Sequence, residues 1–182
     1  MFWSITLLAK KLFKIEGEPD FGQKMAILGA GAVGALAYSF SDSFWFSAVE
    51  AEVYAISSFF TAFVVWAMLK WESIADEDGA DKWLVLIAYM VGLSIGVHLL
   101  NLVTIPALAC IYYFKRYTYS LKGILIALGV SGVILVAIMN GVIVGLPSIG
   151  ADIEIFFVNA LGLPFMSGIV FFCVAFVGAL VW

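Results

Sequence analysis

The residues best suited to chemistry in this sequence are carboxylates at the edge of an apolar helix. Asp42, Glu50 and Glu52 lie in the stretch 41–55, which carries aromatic side chains and no Lys or Arg. A carboxylate at such a boundary can bind a divalent cation or take a proton from an acceptor hydroxyl. Ionisable groups in or near a membrane are costly and therefore indicate function by default. We predict a site at this edge.

A stripe of polar residues continues from these carboxylates into the apolar helix. Glu50, Tyr54, Ser57 and Thr61 follow spacings of four, three and four, which place them on one helical face. Because hydrocarbon offers no hydrogen-bond partner, this face must meet protein or water. Two interpretations stay open: the face lines a site, or the hydroxyls of Ser57 and Thr61 join two helices.

A second polar group, His98 and Asn101, interrupts the apolar stretch 83–114. One helix over this stretch would be about 48 Å long, against a hydrocarbon core of about 30 Å. We therefore predict that the chain crosses, turns near residues 98–101 and returns. A histidine at such a turn can bind or protonate a phosphate, or it can cap a helix. Both roles stay open.

The distribution of basic residues favours this hairpin. With two crossings in 83–114, every basic residue falls on one side of the membrane, whereas one crossing places three of them on the other side. The positive-inside rule therefore predicts cytoplasmic Lys and Arg loops and a periplasmic Glu50 and His98. The basic residues are Lys10, Lys11, Lys14, Lys24, Lys70, Lys82, Lys115, Arg116 and Lys122.

The composition identifies an integral membrane protein. Of the 182 residues, 64% are hydrophobic and 12% are charged, and the mean hydropathy is +1.11. Soluble domains carry about 25% charged residues. The sequence contains no basic run interleaved with aromatic residues, which is the pattern that would indicate nucleic-acid binding. Cys110 and Cys173 both lie in apolar segments and are interpreted as small buried hydrophobes.

The predicted fold class is an all-α membrane protein, a polytopic helical bundle of about six spans plus an N-terminal stub. We predict one transmembrane domain over residues 1–182, in which 1–9 are the end of a truncated helix, 10–24 a cytoplasmic loop and 25–182 the bundle. The acidic residues of 76–81, and Asp152 and Glu154 in the outer segment 147–164, are expected to lie in solvated loops. The predicted spans are 25–40, 53–69, the two arms of 83–114, 123–146 and 166–182.

The first predicted span contains Gly29, Gly31 and Gly34, which spell GxGxxG. This pattern binds dinucleotides when it joins a strand to a helix within a βαβ unit. The surrounding sequence is apolar and aromatic and predicts no such unit. Close approach of two helices is the better explanation of the glycines.

Several blocks of the sequence resemble a family of large multi-spanning bacterial proteins catalogued as a domain of unknown function. This family is related to the protein O-mannosyltransferases and has the GT-C glycosyltransferase architecture. The resemblance covers nearly the whole chain. The blocks are FWFSAVEAEVYA (44–55), LKWE (69–72), GLSIGVHLLNLVTIPAL (92–108) and YYFKRY (112–117).

The resemblance implies transfer of a sugar, mannose, from a polyprenyl-phosphate donor to Ser or Thr of an exported protein, at the outer face of the bacterial inner membrane. It places the catalytic acid directly before Val53, at Glu52, whereas the polar stripe favours Glu50. On an ideal helix these two side chains project about 200° apart. His98, Asn101, Tyr54 and Asp42 are the predicted substrate-binding residues. A divalent cation is a candidate cofactor, and the bilayer, the lipid-linked donor and the acceptor protein are the expected partners.

Members of that family begin with a further span and an outer loop that bears an acidic motif. The present sequence begins after the position of that loop, so we expect a fragment or a split gene product that is inactive alone. A membrane transporter and a non-catalytic subunit of a larger complex are the alternatives.

Overall fold

The computed structural model describes residues 1–15, 17–50 and 53–182, and every regular element in this part of the chain is helical. The all-α prediction is confirmed for these residues. The chain divides into two compact units, Met1–Ser131 and Gly132–Trp182. The elements are α1 (Phe2–Leu12), α2 (Phe21–Ser39), α3 (Asp42–Val49), α4 (Tyr54–Ile74), α5 (Lys82–Ile95), a 3₁₀ turn (Leu99–Val103), α6 (Thr104–Arg116), α7 (Leu121–Ala137), a π-helix (Ile138–Gly145), α8 (Leu146–Asn159) and α9 (Ser167–Val181).

Glycines bring α1 and α2 close together in the first unit. A Cβ atom on Gly31 would lie 2.6 Å from Cγ2 of Thr6, and one on Gly34 would lie 2.7 Å from Cδ1 of Ile5. A Cβ atom on Gly29 would meet nothing within 4 Å. The GxGxxG pattern therefore serves helix packing at two of its three glycines, as predicted.

Hydrogen-bonding side chains set the limits of α2 and α3. The carboxylate of Asp20 accepts from the N–H of Gln23 at 2.8 Å, and the Gln23 side chain accepts from the N–H of Asp20, which together cap α2. At the other end, the Ser41 hydroxyl donates to the Tyr38 carbonyl and accepts from the N–H of Phe44. The chain bends by 56° between α2 and α3 at this serine.

The fourth helix, α4, is the centre of the first unit. It contacts α1, α3, α5, α6 and the 3₁₀ turn. The side chains of Val64, Ala67, Met68 and Trp71 along it are fully or almost fully buried. The ring of Trp71 stacks on Tyr112 of α6, with 5.3 Å between the ring centroids. The packing of the other helices of this unit therefore depends on α4.

The chain reverses direction between α5 and α6. Asp81, directly before α5, lies 3.6 Å from the guanidinium of Arg116 at the end of α6. The start of one helix is therefore beside the end of the next, and the predicted turn near residues 98–101 is confirmed as a reversal. The two arms have 14 and 13 residues, which corresponds to about 20 Å each.

In the second unit, the prediction of a loop from residue 147 is wrong, because α8 is helical from Leu146 to Asn159. Pro147 falls in the first turn of α8, directly after the π-helix. A proline has no N–H and crowds the carbonyl four residues before it, whereas the wider turn of a π-helix accommodates both effects. A helix can therefore pass through this proline.

The apolar helices support a membrane protein, but six crossings are not shown. By length and composition, α4 and the continuous helical run Leu121–Asn159 could cross a bilayer. The bent pair of α2 and α3 gives a third span if it is counted as one. Of the shorter apolar helices, α5 has 14 residues and α9 has 15. These fall short of the roughly 20 residues that a straight crossing needs.

Candidate functional site

The bend between α5 and α6 is held by hydrogen bonds within the bend itself. His98 has an extended backbone (φ −162°, ψ 138°), and its N–H donates to the Ser94 carbonyl at 2.8 Å. Its ring Nδ1 accepts from the N–H of Leu100 at 3.0 Å. The Thr104 hydroxyl donates to the carbonyl of Asn101 at 2.6 Å. The helix-capping role of His98, left open from the sequence, is therefore present.

Asn101 connects this bend to two neighbouring helices. Its side chain is 0% exposed. The amide Nδ2 donates to the Ser94 hydroxyl on α5 at 2.8 Å, and Oδ1 accepts from the Thr61 hydroxyl on α4 at 3.1 Å. Thr61 therefore joins two elements, which was one of its two predicted roles. Asn101 presents no surface to a ligand in this conformation, so its contribution is to position the bend.

Tyr54 and His98 lie side by side at this end of the unit, and both are accessible. Tyr54 is the first residue of α4, and its ring centroid lies 5.4 Å from that of His98. Tyr54 is 41% exposed and His98 is half-buried. Neither Nε2 of His98 nor the hydroxyl of Tyr54 has a hydrogen-bond partner among the described residues. The two rings thus lie close together, each with a polar atom that no described residue engages.

The structure describes two of the three predicted carboxylates, Asp42 and Glu50. Glu50 is exposed and ends α3 with an extended backbone, and α4 begins only at Tyr54. The prediction that Glu50 continues one helical face with Tyr54 is therefore wrong. A helix unbroken from residue 42 to 74 would be about 50 Å long, which exceeds a bilayer core of about 30 Å. Asp42 is exposed in the first turn of α3, and Glu52 lies outside the described residues.

The remaining member of the polar stripe, Ser57, is buried one turn along α4 from Tyr54. It is 2% exposed, and its hydroxyl has no hydrogen-bond partner among the described residues. Buried hydroxyls usually have a partner. Along this side of α4, Tyr54 is exposed, Ser57 is buried and Thr61 is half-buried against the bend.

A cavity of about 340 Å³ lies beside this end of the unit, between α1, α2, α4 and the 3₁₀ turn. Its polar lining includes Tyr38, Ser58 and Thr61, and Leu100 of the bend closes one side. The other lining residues are mostly apolar side chains of α1 and α4. Such a space accepts an apolar chain more readily than a charged group.

The opposite end of the same helices carries the charges. Lys115 donates a hydrogen bond of 2.6 Å to Asp76, and Arg116 lies 4.0 Å from Asp76. The hydrogen bond from Lys115, together with the charges of Lys115 and Arg116, holds the pKa of the Asp76 carboxyl below its usual value. Asp76 is fully solvated, as predicted for this loop, and also ties the loop to the end of α6.

An ion pair between Lys11 and Glu72 links α1 to α4 at this charged end. Burial lowers the pKa of the Lys11 ammonium, and the nearby charge of Lys115 lowers it further. The Tyr54–His98 pair is sixteen residues away along α4 from Lys70, or about 24 Å. The charged end and the histidine end of α4 are therefore separate.

The part of the chain that the structure describes contains no preformed metal site. No group of three or more His, Cys, Asp or Glu side chains there could hold an ion. Glu52 is not among these residues, so the candidate divalent cation stays a prediction.

The sequence interpretation missed Glu154, which lies in the second unit. Its side chain is buried, although a solvated loop was predicted, and it accepts from the N–H of Met166 at 2.6 Å and of Ile169 at 3.0 Å. A carboxylate at the start of α9 is favourable because it meets unpaired N–H groups and the positive end of the helix dipole. An acid directly before the apolar run 155–158 was the available signal.

Comparison with known proteins gives one family. The family model described as the protein O-mannosyl-transferase TMEM260 N-terminal domain matches residues 1–121. No curated protein and no solved structure matches the chain significantly. The matched residues are 121 of 182 and include Glu50, Glu52, Tyr54 and His98.

Proposed function

The chain belongs to the family of the protein O-mannosyl-transferase TMEM260 N-terminal domain, and on this premise we propose that it forms part of a membrane glycosyltransferase. The proposed reaction moves mannose from a polyprenyl-phosphate donor to a Ser or Thr hydroxyl of an exported protein. A GT-C-like architecture belongs to the same proposal.

The family match carries this proposal. It is supported by the position of the Tyr54–His98 pair within the matched range, directly after the segment that holds Glu50 and Glu52. Sugar transfer to a hydroxyl needs a group that accepts a proton, and transfer from a lipid phosphate needs donors that hold the leaving phosphate. This region of the sequence contains candidates for both functions.

Glu52 is the proposed general base. Its carboxylate takes the proton of the acceptor hydroxyl while the hydroxyl oxygen bonds to the anomeric carbon of the sugar. The bond from that carbon to the donor oxygen breaks at the same time, and polyprenyl phosphate leaves. Glu50 is the alternative base, since it is exposed at the end of α3. A divalent cation held by these carboxylates is the candidate cofactor.

His98 and Tyr54 are the proposed donor-binding residues. Nδ1 of His98 is engaged in the cap, which leaves Nε2 to meet the donor phosphate beside the Tyr54 hydroxyl. The neighbouring cavity of about 340 Å³ takes the first part of the polyprenyl chain. Asp42 contributes at the rim of the site, and Asn101 positions the bend.

In the proposed topology, the Tyr54–His98 end faces the periplasm and the charged end faces the cytoplasm of a bacterial inner membrane. The clustering of ion-paired cations at the other end of α4 supports this orientation. An acceptor protein then meets the site only after its export.

The assay is mannose transfer from labelled polyprenyl-phosphate mannose to a Ser/Thr peptide, measured in native membranes that carry chromosomal variants. We expect Glu52→Gln to lower kcat by about 10² to 10⁴, the usual contribution of a general base. Glu50→Gln should change it less than about threefold. The reverse order would make Glu50 the base, and near-normal activity of both variants would contradict the proposed site.

Two substitutions separate the cap from phosphate binding at His98. Asn keeps an acceptor near the position of Nδ1 and removes Nε2, whereas Gln keeps an N–H near Nε2 and weakens the cap. We expect His98→Asn to raise KM for the donor about tenfold or more and to leave thermal stability close to wild type. His98→Gln should lower stability more and KM less. An unchanged KM in His98→Asn would exclude the phosphate contact.

A further inference from the structure

A second cavity, of about 570 Å³, lies at the charged end of the first unit between α1, α2 and α4. One lysine from each of these helices lines it, namely Lys10, Lys24 and Lys70. The rest of its lining is largely apolar or aromatic and includes Trp3 and Trp66. A largely apolar space lined by a lysine from each of three helices differs from an ordinary gap between helices.

The three lysines have little opposing charge of their own. Among the described residues, neither Lys10 nor Lys70 has a carboxylate within 4.0 Å, and Lys24 is 3.5 Å from Glu18, which is 94% exposed. A solvent-exposed ion pair of this kind contributes little. By contrast, Lys11 and Lys115 at the same end are paired with Glu72 and Asp76. Three lysines with little opposing charge among the described residues therefore line one cavity.

The cavity continues along α4 as an apolar groove. A neighbouring space of about 340 Å³ shares Trp3 and Trp66 with it and extends past Phe63 to Phe59. All side chains that line this second space are apolar or aromatic. From Lys70 to Phe59 the distance along the helix is about 16 Å, close to half of the roughly 30 Å hydrocarbon core. The groove thus runs for the depth of one leaflet.

We propose that this groove binds an anionic phospholipid, with its phosphate between Lys10, Lys24 and Lys70 and one acyl chain along Trp3, Trp66 and Phe63. Basic pockets between membrane helices bind lipid phosphates in this manner. A free phosphate would use only the lysines and leave the apolar groove unfilled, so the lining selects a lipid. The lysines that hold the phosphate are at the other end of α4 from Tyr54 and His98, so lipid binding there can be measured apart from the proposed sugar transfer.

The test is binding of phosphatidylglycerol to the full chain, purified in detergent and measured by native mass spectrometry, with phosphatidylcholine as the neutral comparison. The variant carries Lys10→Gln, Lys24→Gln and Lys70→Gln, and the matched control carries Lys14→Gln, Lys82→Gln and Lys122→Gln, which removes the same charge away from the cavity. We expect the cavity variant to bind about two orders of magnitude more weakly, from roughly fivefold for each lysine. An equal loss in the control, or equal binding of phosphatidylcholine, would overturn the proposal.

A second pair of variants tests the apolar groove. Ala62→Trp fills the space beside Phe63, and Ala88→Trp, on the exposed face of α5, is its control. We expect Ala62→Trp to weaken phosphatidylglycerol binding at least tenfold and Ala88→Trp to leave it unchanged. Unchanged binding in Ala62→Trp, or displacement of the lipid by equimolar inorganic phosphate, would show a phosphate site without a lipid groove and contradict the proposal.

Discussion

Asn101 and His98 are three residues apart and both polar, yet their side chains serve different purposes. The amide of Asn101 is buried and bonded on both sides, to α4 and to α5. His98 uses one ring nitrogen for the bend and keeps the other available. A buried amide of this kind stabilises because loss of either partner leaves an unsatisfied group. At this scale, structural and ligand-binding roles fall on separate side chains.

We expect Asn101→Ala to lower the free energy of unfolding by about 1–3 kcal/mol, because the Thr61 and Ser94 hydroxyls then lose their shared partner inside the protein. The matched control is Asn140→Ala. The Asn140 amide is exposed and bonds only to the carbonyl of Val136 in its own helical run, so its loss should cost less than about 0.5 kcal/mol. Unfolding in detergent followed by tryptophan fluorescence measures both, and equal costs would contradict the bridging role.

At the scale of the elements, α8 and α9 form the closest helix contact in the second unit. A Cβ atom on Gly168 would lie 2.5 Å from Cα and 2.7 Å from N of Glu154, which are backbone atoms. The same glutamate binds the first N–H groups of α9 with its carboxylate. Glu154 thus takes part in both the close contact between α8 and α9 and the cap of α9. A shift of α9 against α8 would disturb both.

Gly168→Ala should therefore lower the free energy of unfolding by about 1–3 kcal/mol, because the added methyl group overpacks against backbone atoms of α8. The melting temperature should fall accordingly. Gly178→Ala, in the same helix, meets nothing within 4 Å and should be neutral or slightly stabilising. Thermal unfolding in detergent distinguishes them. Similar melting temperatures for the two variants would show that the contact tolerates a methyl group.

The sequence predicted the all-helical class and the reversal at residues 98–101, because long apolar segments and the distribution of basic residues are visible without tertiary contacts. The predicted span 53–69 begins within one residue of α4, but the polar stripe wrongly continued the helix back to Glu50, since AVEAEVYA has no helix-breaking residue. The burial of Glu154 depends on donors 12 and 15 residues later in the chain. Contacts at that separation leave no periodic pattern in a sequence.

At the scale of the whole molecule, the basic residues that form ion pairs in the first unit gather at one end. The ion pairs from Lys11, Lys115 and Arg116 all lie there, and three further lysines surround the cavity between α1, α2 and α4. The Tyr54–His98 pair lies at the other end. This segregation is the pattern that orients a membrane protein during insertion.

The orientation has a direct test in a variant without Cys110 and Cys173. A cysteine at Ser43 of α3 should react with a membrane-impermeant maleimide in intact cells, and one at Asp78 should react only after the cells are opened. Both positions are exposed, so accessibility within the protein does not limit either reaction. Labelling of Asp78→Cys in intact cells would reverse the proposed topology.

The bend at His98 has a consequence for where the chain can turn. The side chain of Asn101, Nδ1 of His98 and several backbone groups find partners within the bend and on α4 and α5, so these groups do not need solvent. Arms of about 20 Å then allow the chain to reverse without surfacing. A turn that stays within the membrane would hold Nε2 of His98 at the depth of the phosphate of a lipid-linked sugar. The donor could then bind without leaving its leaflet.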